Sequence, residues 1–203
     1  MNEKNIGGNY FDKYGSANLA VRFVMNQFLK TMNTIINGEK FDSMLDAGCG
    51  EGHLTNIINE SLEKNGRHTA ITALEYDGKT LDKARILYPN LNLVQGNILE
   101  LKGNYDLLLA SEVLEHINEY DAAIQQCKKT APVCVFSVPN EPWFRMANLC
   151  RLKYLKRLGN TPGHVNNWTK SGFRRILSRH FEYVMIKTAA IWNIALCKKP
   201  NII

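Results

Sequence analysis

The sequence predicts an α/β fold, a mostly parallel sheet with helices on both faces and an antiparallel last strand. Three observations predict it. Short, near-continuously apolar runs alternate with longer segments whose apolar residues recur at helical spacing, the pattern of strands buried on both faces and linked by crossover helices. A glycine-rich stretch at residues 41–52, FDSMLDAGCGEG, joins the first such run to the next periodic segment. The two final apolar runs are separated by only a short turn, which a parallel crossover cannot fit, so they pair antiparallel.

Taken in order, residues 17–36 read as a helix with Leu19, Phe23 and Ile35 only partly in phase. Residues 1–38 together are expected to form an N-terminal helical cap across the ligand site, bringing Tyr14 near it. Residues 41–45 are the first strand and 54–62 begin the helix after the glycines. Residues 68–74, HTAITAL, make a second strand that ends in Glu75. A helix over 78–87 is closed by Pro89, and 91–95 is the third strand. Strand 105–110 leads to helix 121–129, and strand 131–138 is ended by Pro139. A helix starting at Trp143 aligns Trp143, Ala147, Cys150, Tyr154 and Leu158 on one face, with Arg145, Lys153 and Lys156 mainly on the other. After the turn Gly159-Asn160-Thr161-Pro162-Gly163, Thr169 is placed to cap a helix over 171–178. Residues 181–186 and 190–197 are the closing strands.

With 203 residues, 45% of them hydrophobic and 22% charged, the chain suits a single domain, 1–203, whose core needs no staples. An inserted lid or substrate segment is expected at 140–168. No apolar run follows the N-terminal Lys, and none reaches the length of a membrane span, so a cytoplasmic protein is expected. Its five cysteines lack CxxC spacing, which fits reduced thiols, with Cys127, Cys134 and Cys197 as small core residues. Residues 142–181 hold nine Lys or Arg and no Asp or Glu, leaving 16 basic against 19 acidic residues elsewhere. The positive excess sits in one lobe, which is drawn either to an anionic substrate or to an anionic membrane surface.

The glycine turn narrows the ligand. Repeated Gly lets a ligand approach the main chain, and the following helix start leaves N–H groups facing it. In a dinucleotide turn GxGxxG counted from Gly48, His53 stands where the third Gly belongs. The phosphate loop GxxxxGK[ST] is absent. Asp46, two residues before Gly48, would repel a diphosphate but can accept a hydrogen bond or meet a cationic ligand end. At the second strand's tip, Glu75 can take both ribose hydroxyls of a nucleoside. Asn97 offers a donor and an acceptor to an adenine edge, and Tyr76 and Ile98 could bracket the base. The fourth strand exits into Ser111-Glu112-Val113-Leu114-Glu115-His116. His116 either faces a substrate, where it can accept a proton near pH 7, or caps local backbone.

Together, DAGCG, the Glu75 strand end, GNI and ASEVLEHI resemble the class I S-adenosylmethionine-dependent methyltransferases. Within them the likeness is to the small-molecule group that includes quinone-biosynthesis O-methyltransferases. It covers about residues 40–140, with a weaker match at HVNNWTKSGFRRIL near the C-terminus. The resemblance implies a Rossmann-like seven-stranded sheet and S-adenosyl-L-methionine as cofactor, with S-adenosyl-L-homocysteine as product. It implies that Asp46, Gly48, Cys49 and Gly50 surround the methionine moiety, that Glu75 binds the ribose, and that Tyr76, Asn97 and Ile98 meet adenine. Ser111 and Glu112 would line the floor by the sulfonium, and His116 would face the acceptor. The basic helical insertion after the fifth strand departs from the pattern, and the substrate is sought there, at Trp143, His164 and Trp168 together with Tyr14.

The chemistry expected is in-line transfer of a methyl group to a small, partly apolar acceptor, oxygen favoured, with His164 or His116 removing the proton. No metal is required for this, and no metal-ligand spacing is visible along the chain. An NAD-linked oxidoreductase is the rival from another class, and methylation of RNA or protein is the other. Nucleic acid is disfavoured, because the basic lobe has few aromatics spaced for stacking and no NPPY-like tetrad follows the fourth strand, the fifth-strand side reading SVPNEPW instead.

Overall fold

The computed structural model describes residues 17–150, 158–159, 161 and 163–200. Seven strands form one sheet in the order β3-β2-β1-β4-β5-β7-β6. They are β1 (Ser43–Ala47), β2 (Ala70–Glu75), β3 (Asn92–Gln95), β4 (Leu107–Ser111), β5 (Val133–Pro139), β6 (Tyr183–Ala189) and β7 (Trp192–Lys198). The first five run parallel, while β7 pairs antiparallel with both β5 and β6. The α/β class and the antiparallel closing hairpin therefore agree with the sequence. Chain order reverses between β1 and β4, and a sheet that reverses there leaves a crevice beyond its C-terminal strand ends.

The period-two geometry of strands divides the core in two. In β4, Leu108 and Ala110 join Phe136, Cys134, Phe173 and Leu177 on one side, whereas Leu107 and Leu109 join Met44, Val135 and Ile194 on the other. The first side is covered by α4 (Tyr120–Thr130) and α6 (Lys170–Leu177), the second by α1 (Leu19–Asn37) and α2 (His53–Lys64). Helix α3 (Gly78–Leu87) follows β2. Cys127, Cys134 and Cys197 are fully buried in the first core, as read from their surroundings. No helix among the described residues is long and apolar enough to cross a membrane.

Two helix faces differ from expectation. In α1, capped by the Asn18 side chain, the buried stripe is Met25, Phe28, Met32, Ile35 and Ile36, while Leu19 and Phe23 are exposed. Residues spaced three, four and seven apart from Met25 share one face, and Leu19 and Phe23 fall outside it. In α5 (Trp143–Cys150), Trp143 is exposed, and so is Leu158 beyond it. The inward residues are instead Phe144, packed on Trp192, and Asn148, which donates to the Gly159 carbonyl. An amide with a waiting carbonyl is buried at little cost, so the polar residue turned inward and the apolar Trp outward. Tyr14 and Tyr154 lie outside the described residues.

Candidate active site

The crevice is built first by the turn after β1. Gly48 and Cys49 both donate backbone N–H to the Leu74 carbonyl, at 2.7 and 3.0 Å, which folds the turn back over β2. Gly48 has φ +93°, and a Cβ there would lie 2.5 Å from the Val113 methyl Cγ2. Both the left-handed backbone and the close approach call for glycine. Gly50, at φ +58°, differs: a Cβ would meet nothing within 4 Å. The main chain there borders open space.

Glu75, at the tip of β2, is 7% exposed. Its Oε2 accepts the Gly50 N–H at 2.9 Å and its Oε1 accepts the Asp77 N–H at 3.0 Å. Each carboxylate oxygen has a second lone pair, so a vicinal diol at the open edge can still donate to both. Asp77 in turn caps α3 through Thr80, whose hydroxyl and amide hold its carboxyl below the usual range. Farther along the edge, Tyr76 is exposed, and Ile98 is buried against the β4 core. The Asn97 side-chain oxygen accepts the Leu99 N–H.

Asp46 lies beneath the turn, 1% exposed, accepting a 2.6 Å hydrogen bond from the Thr55 hydroxyl. Burial pushes its carboxyl up to about 7; the Thr55 bond opposes the rise and the Glu75 charge adds to it. A folded-state pKa raised above the unfolded one means the fold holds the extra proton. That stabilisation is complete below the unfolded value near 3.8 and is lost as pH climbs through about 7. Asp46→Asn keeps an acceptor for Thr55 and removes the titration. Relative to wild type, it should gain on the order of a few kcal/mol of stability between pH 4 and pH 7, read from denaturant melts. Parallel pH profiles for the two proteins would count against this account. Burial also pushes the adjacent Cys49 thiol up, aided by the Asp46 and Glu75 charges, so it packs the turn and is no thiolate nucleophile.

The opposite wall comes from the end of β4. The Ser111 and Ser137 hydroxyls meet at 2.7 Å. Glu112, in the left-handed region at φ +56°, donates its N–H to the Ser137 carbonyl, and its Oε1 accepts the Trp192 indole N–H at 2.7 Å. A single 3-10 turn, Leu114–His116, follows. It is stapled to the end of the insertion: Val165 and Asn166 donate N–H to the Glu115 carbonyl, and the Asn166 amide reaches the Leu114 and Ile117 carbonyls. His116 Nδ1 lies 3.1 Å from the Gly163 carbonyl. These bonds bring His116 and His164 together, their rings edge to face with centroids 4.8 Å apart. Phe144 stacks on the far side of His164 at 5.8 Å.

The remaining residues singled out in the insertion part company. Trp168 is packed between Tyr120 and Phe173 at the edge of the core. Trp143 stands over an open groove of about 760 Å³ that Asn140, Glu141, Lys170, Arg174 and Arg175 also line. Burial raises the Glu141 carboxyl above its usual range. Sequence reasoning passed over Phe144 and Trp192, which form the floor behind the histidines. An aromatic inside an apolar helix or strand carries no mark that separates it from ordinary core. Glu115 lay within the quoted ASEVLEHI run, but its burial at 1% could not be seen there.

A family model described as a methyltransferase domain matches residues 21–186. A probable S-adenosylmethionine-dependent methyltransferase of Mycolicibacterium smegmatis is 27% identical over 107 residues, half of this chain and 39% of that protein. A ubiquinone biosynthesis O-methyltransferase of Shewanella halifaxensis is 30% identical over 107 residues, 49% of this chain and 43% of its own length. The chain thus spans about two fifths of these curated relatives. Magnesium protoporphyrin IX methyltransferase from Synechocystis PCC 6803, solved with bound S-adenosylhomocysteine, superposes with a TM-score of 0.61 at 17% identity. That match covers 91% of this chain and 89% of the other, a likeness of fold.

Proposed function

The chain belongs to the methyltransferase-domain family as an S-adenosylmethionine-dependent member, and we propose that it methylates an oxygen of a small, partly apolar acceptor. The observation that carries this reading is the pairing of two walls across one crevice. On one, the Glu75 carboxylate and the open main chain at Gly50 suit a nucleoside sugar; on the other, two imidazoles meet at the end of β4. The sulfonium cofactor supplies an electrophilic methyl group when bound. Glu75 holds the ribose hydroxyls, the Gly48 to Gly50 backbone borders the amino-acid end, and Asp46 faces its cationic charge from below. Asn97, Ile98 and Tyr76 lie along the adenine side. These residues align and exclude water, since an in-line displacement asks little else of the protein.

Proton removal falls to the histidines. Facing a carbonyl, His116 Nδ1 must carry the hydrogen, so Nε2 is the basic atom. His164 is backed by Phe144, whose apolar face suits a partly apolar acceptor. The groove of Lys170, Arg174 and Arg175 would hold an anionic group of the acceptor, with the insertion as lid. The exposed Trp143 and Met146 on the same side support contact with an anionic lipid surface as the second reading of that face.

The test has two stages. Calorimetry should show S-adenosylhomocysteine binding and no NADH binding, and a product-mass screen over phenols, quinone precursors, fatty acids and short RNAs should yield methylated product from one of the oxygen acceptors. In that assay His164→Asn is expected to lower turnover by roughly 10²-fold with cofactor affinity unchanged. Equal turnover across pH would remove His164 from proton transfer, and methylation confined to RNA would overturn the small-molecule reading.

A further inference from the structure

We propose that the groove between the start of α5 and α6 binds the polar end of the acceptor, a dipolar group in which an ammonium is joined by a short linker to a phosphate. This names a substrate class and so rests on the methyl-transfer reading above, while the binding itself is measured without turnover. The segment after β5 builds one wall. Asn140 donates its N–H to the Ile191 carbonyl and Glu141 donates its N–H to the Trp168 carbonyl, which pins both residues beside the start of α6. Helix α6 builds the other wall, where Lys170, Ser171, Arg174, Arg175 and Ser178 line the groove at the three- and four-residue spacing of one helix face. From Lys170 to Ser178 that face runs about 12 Å.

The groove carries opposite charges in separate places. Its acidic part is Glu141, 8% exposed, whose Oε1 is buried and takes no hydrogen bond among the described residues. The Glu141 Oε2 accepts the Arg145 backbone N–H at a long 3.4 Å, and the Arg145 side chain donates through Nε to the Leu158 carbonyl. A carboxylate so placed calls for a positive partner, and an incoming ammonium brings both the charge and three N–H donors. Trp143, exposed two residues farther on, offers an aromatic ring to the same cation. The basic part is Lys170, Arg174 and Arg175. Arg174 Nη1 donates to the Val184 carbonyl at 2.7 Å, which anchors the guanidinium and leaves its other N–H groups for a ligand anion. Burial raises the Glu141 carboxyl, the Arg145 backbone and charge oppose the rise, and the three groove cations lie too far off to act on it.

This separation decides the class of ligand. A simple anion gains from the cations but meets Glu141 as a like charge, and a simple amine gains from Glu141 but meets the cations. A short zwitterion satisfies both. A phosphate suits the basic part, because its terminal oxygens can meet Lys170, Arg174 and Arg175 together. Trp143 and Met146, three apart on α5 and both exposed, share a face and extend apolar surface outward from Glu141, as a partly apolar acceptor requires. Phe144, between them, packs on Trp192 and His164 instead. Helix α5 thus turns one aromatic to the groove and the next to the histidine wall.

The experiment titrates the full chain by calorimetry with phosphoethanolamine, inorganic phosphate and ethanolamine, and by co-sedimentation with phosphatidylcholine vesicles with and without phosphatidylethanolamine. Phosphoethanolamine should bind roughly 10-fold more tightly than phosphate or ethanolamine, or phosphatidylethanolamine should raise vesicle binding by a like factor; the first result assigns the group to a free phosphomonoester, the second to a lipid headgroup. Glu141→Gln should erase the preference for the zwitterion while phosphate binds as in wild type or more tightly, and Arg175→Gln should weaken both ligands. Trp143→Ala, at an exposed position, repeats the test without touching a buried group and should weaken the zwitterion alone. S-adenosylhomocysteine affinity should match wild type in all three variants. Binding of neither the soluble compound nor the vesicles, phosphate held as tightly as phosphoethanolamine, or a preference that survives both Glu141→Gln and Trp143→Ala would overturn the proposal. So would a short RNA that binds more tightly once Glu141 is replaced, the mark of a groove for polyanions. No readout needs methyl transfer, so this failure is separate from failure of the product screen.

Discussion

Glu75→Ala is expected to lower affinity for S-adenosylhomocysteine by roughly 10- to 100-fold, about 1–3 kcal/mol. The carboxylate is placed to accept from a ribose diol with the lone pairs left over from the Gly50 and Asp77 amides. Its removal takes away that acceptor and also strips two backbone N–H groups of their charged partner. The second loss loosens the turn at Gly50, so a modest drop in melting temperature accompanies the first. Glu75→Gln separates the two effects. A carboxamide keeps one accepting oxygen, so one of the two backbone N–H groups retains its partner while the other faces an N–H₂; the drop in melting temperature should be smaller than in the alanine variant, while affinity still falls because the N–H₂ cannot accept from a ribose hydroxyl. Calorimetric affinity unchanged in both variants would refute the ribose role.

The fold was legible because strand and helix periods are physical alternations that survive without neighbours. β4 and β5 read as unbroken apolar runs since both faces of each are covered. Glu75 was legible for a related reason: a carboxylate closing an apolar run has to sit at the tip, where its charge can be solvated or paired. β3 was harder, since three of its four residues are exposed, and an edge strand carries less apolar signal. The face of α5 was misjudged because apolar spacing alone ranked Trp143 above Asn148. What reversed the order was a carbonyl at Gly159, a partner that only the tertiary path supplies.

Of the proposed site, the side assigned to the cofactor was legible and the side assigned to the acceptor only half so. Local motifs built the first: the Gly48 to Gly52 turn, Glu75, and Asn97 at a strand end all belong to single loops. Contacts between distant segments built the second. His116 and His164 were each named, yet their approach to 4.8 Å between rings depends on Asn166 bridging Leu114 and Ile117. Nothing in the run HVNNW says which Asn of the pair does so. The partnership of Glu112 with Trp192 spans the sheet between β4 and β7 and has no trace at either position alone.

That partnership underlies the largest stability effect expected here, a loss of about 3–5 kcal/mol in Trp192→Ala. The indole is 4% exposed. Its ring packs against Phe28 of α1 at 5.0 Å and Phe144 of α5 at 6.2 Å, so one side chain ties the first helix, the inserted helix and the last strand together. Truncation opens a cavity among all three, and the neighbours belong to rigid elements that collapse poorly into it. It also removes the hydrogen bond to Glu112, whose left-handed backbone sits where β4 turns toward His116. Trp192→Phe keeps most of the ring contact and loses only the N–H. Its stability cost should stay near 1–2 kcal/mol, yet turnover should fall in it as Glu112 moves. If instead Trp192→Phe melts like wild type and turns over at the wild-type rate, the indole is packing alone and Glu112 is held by other means.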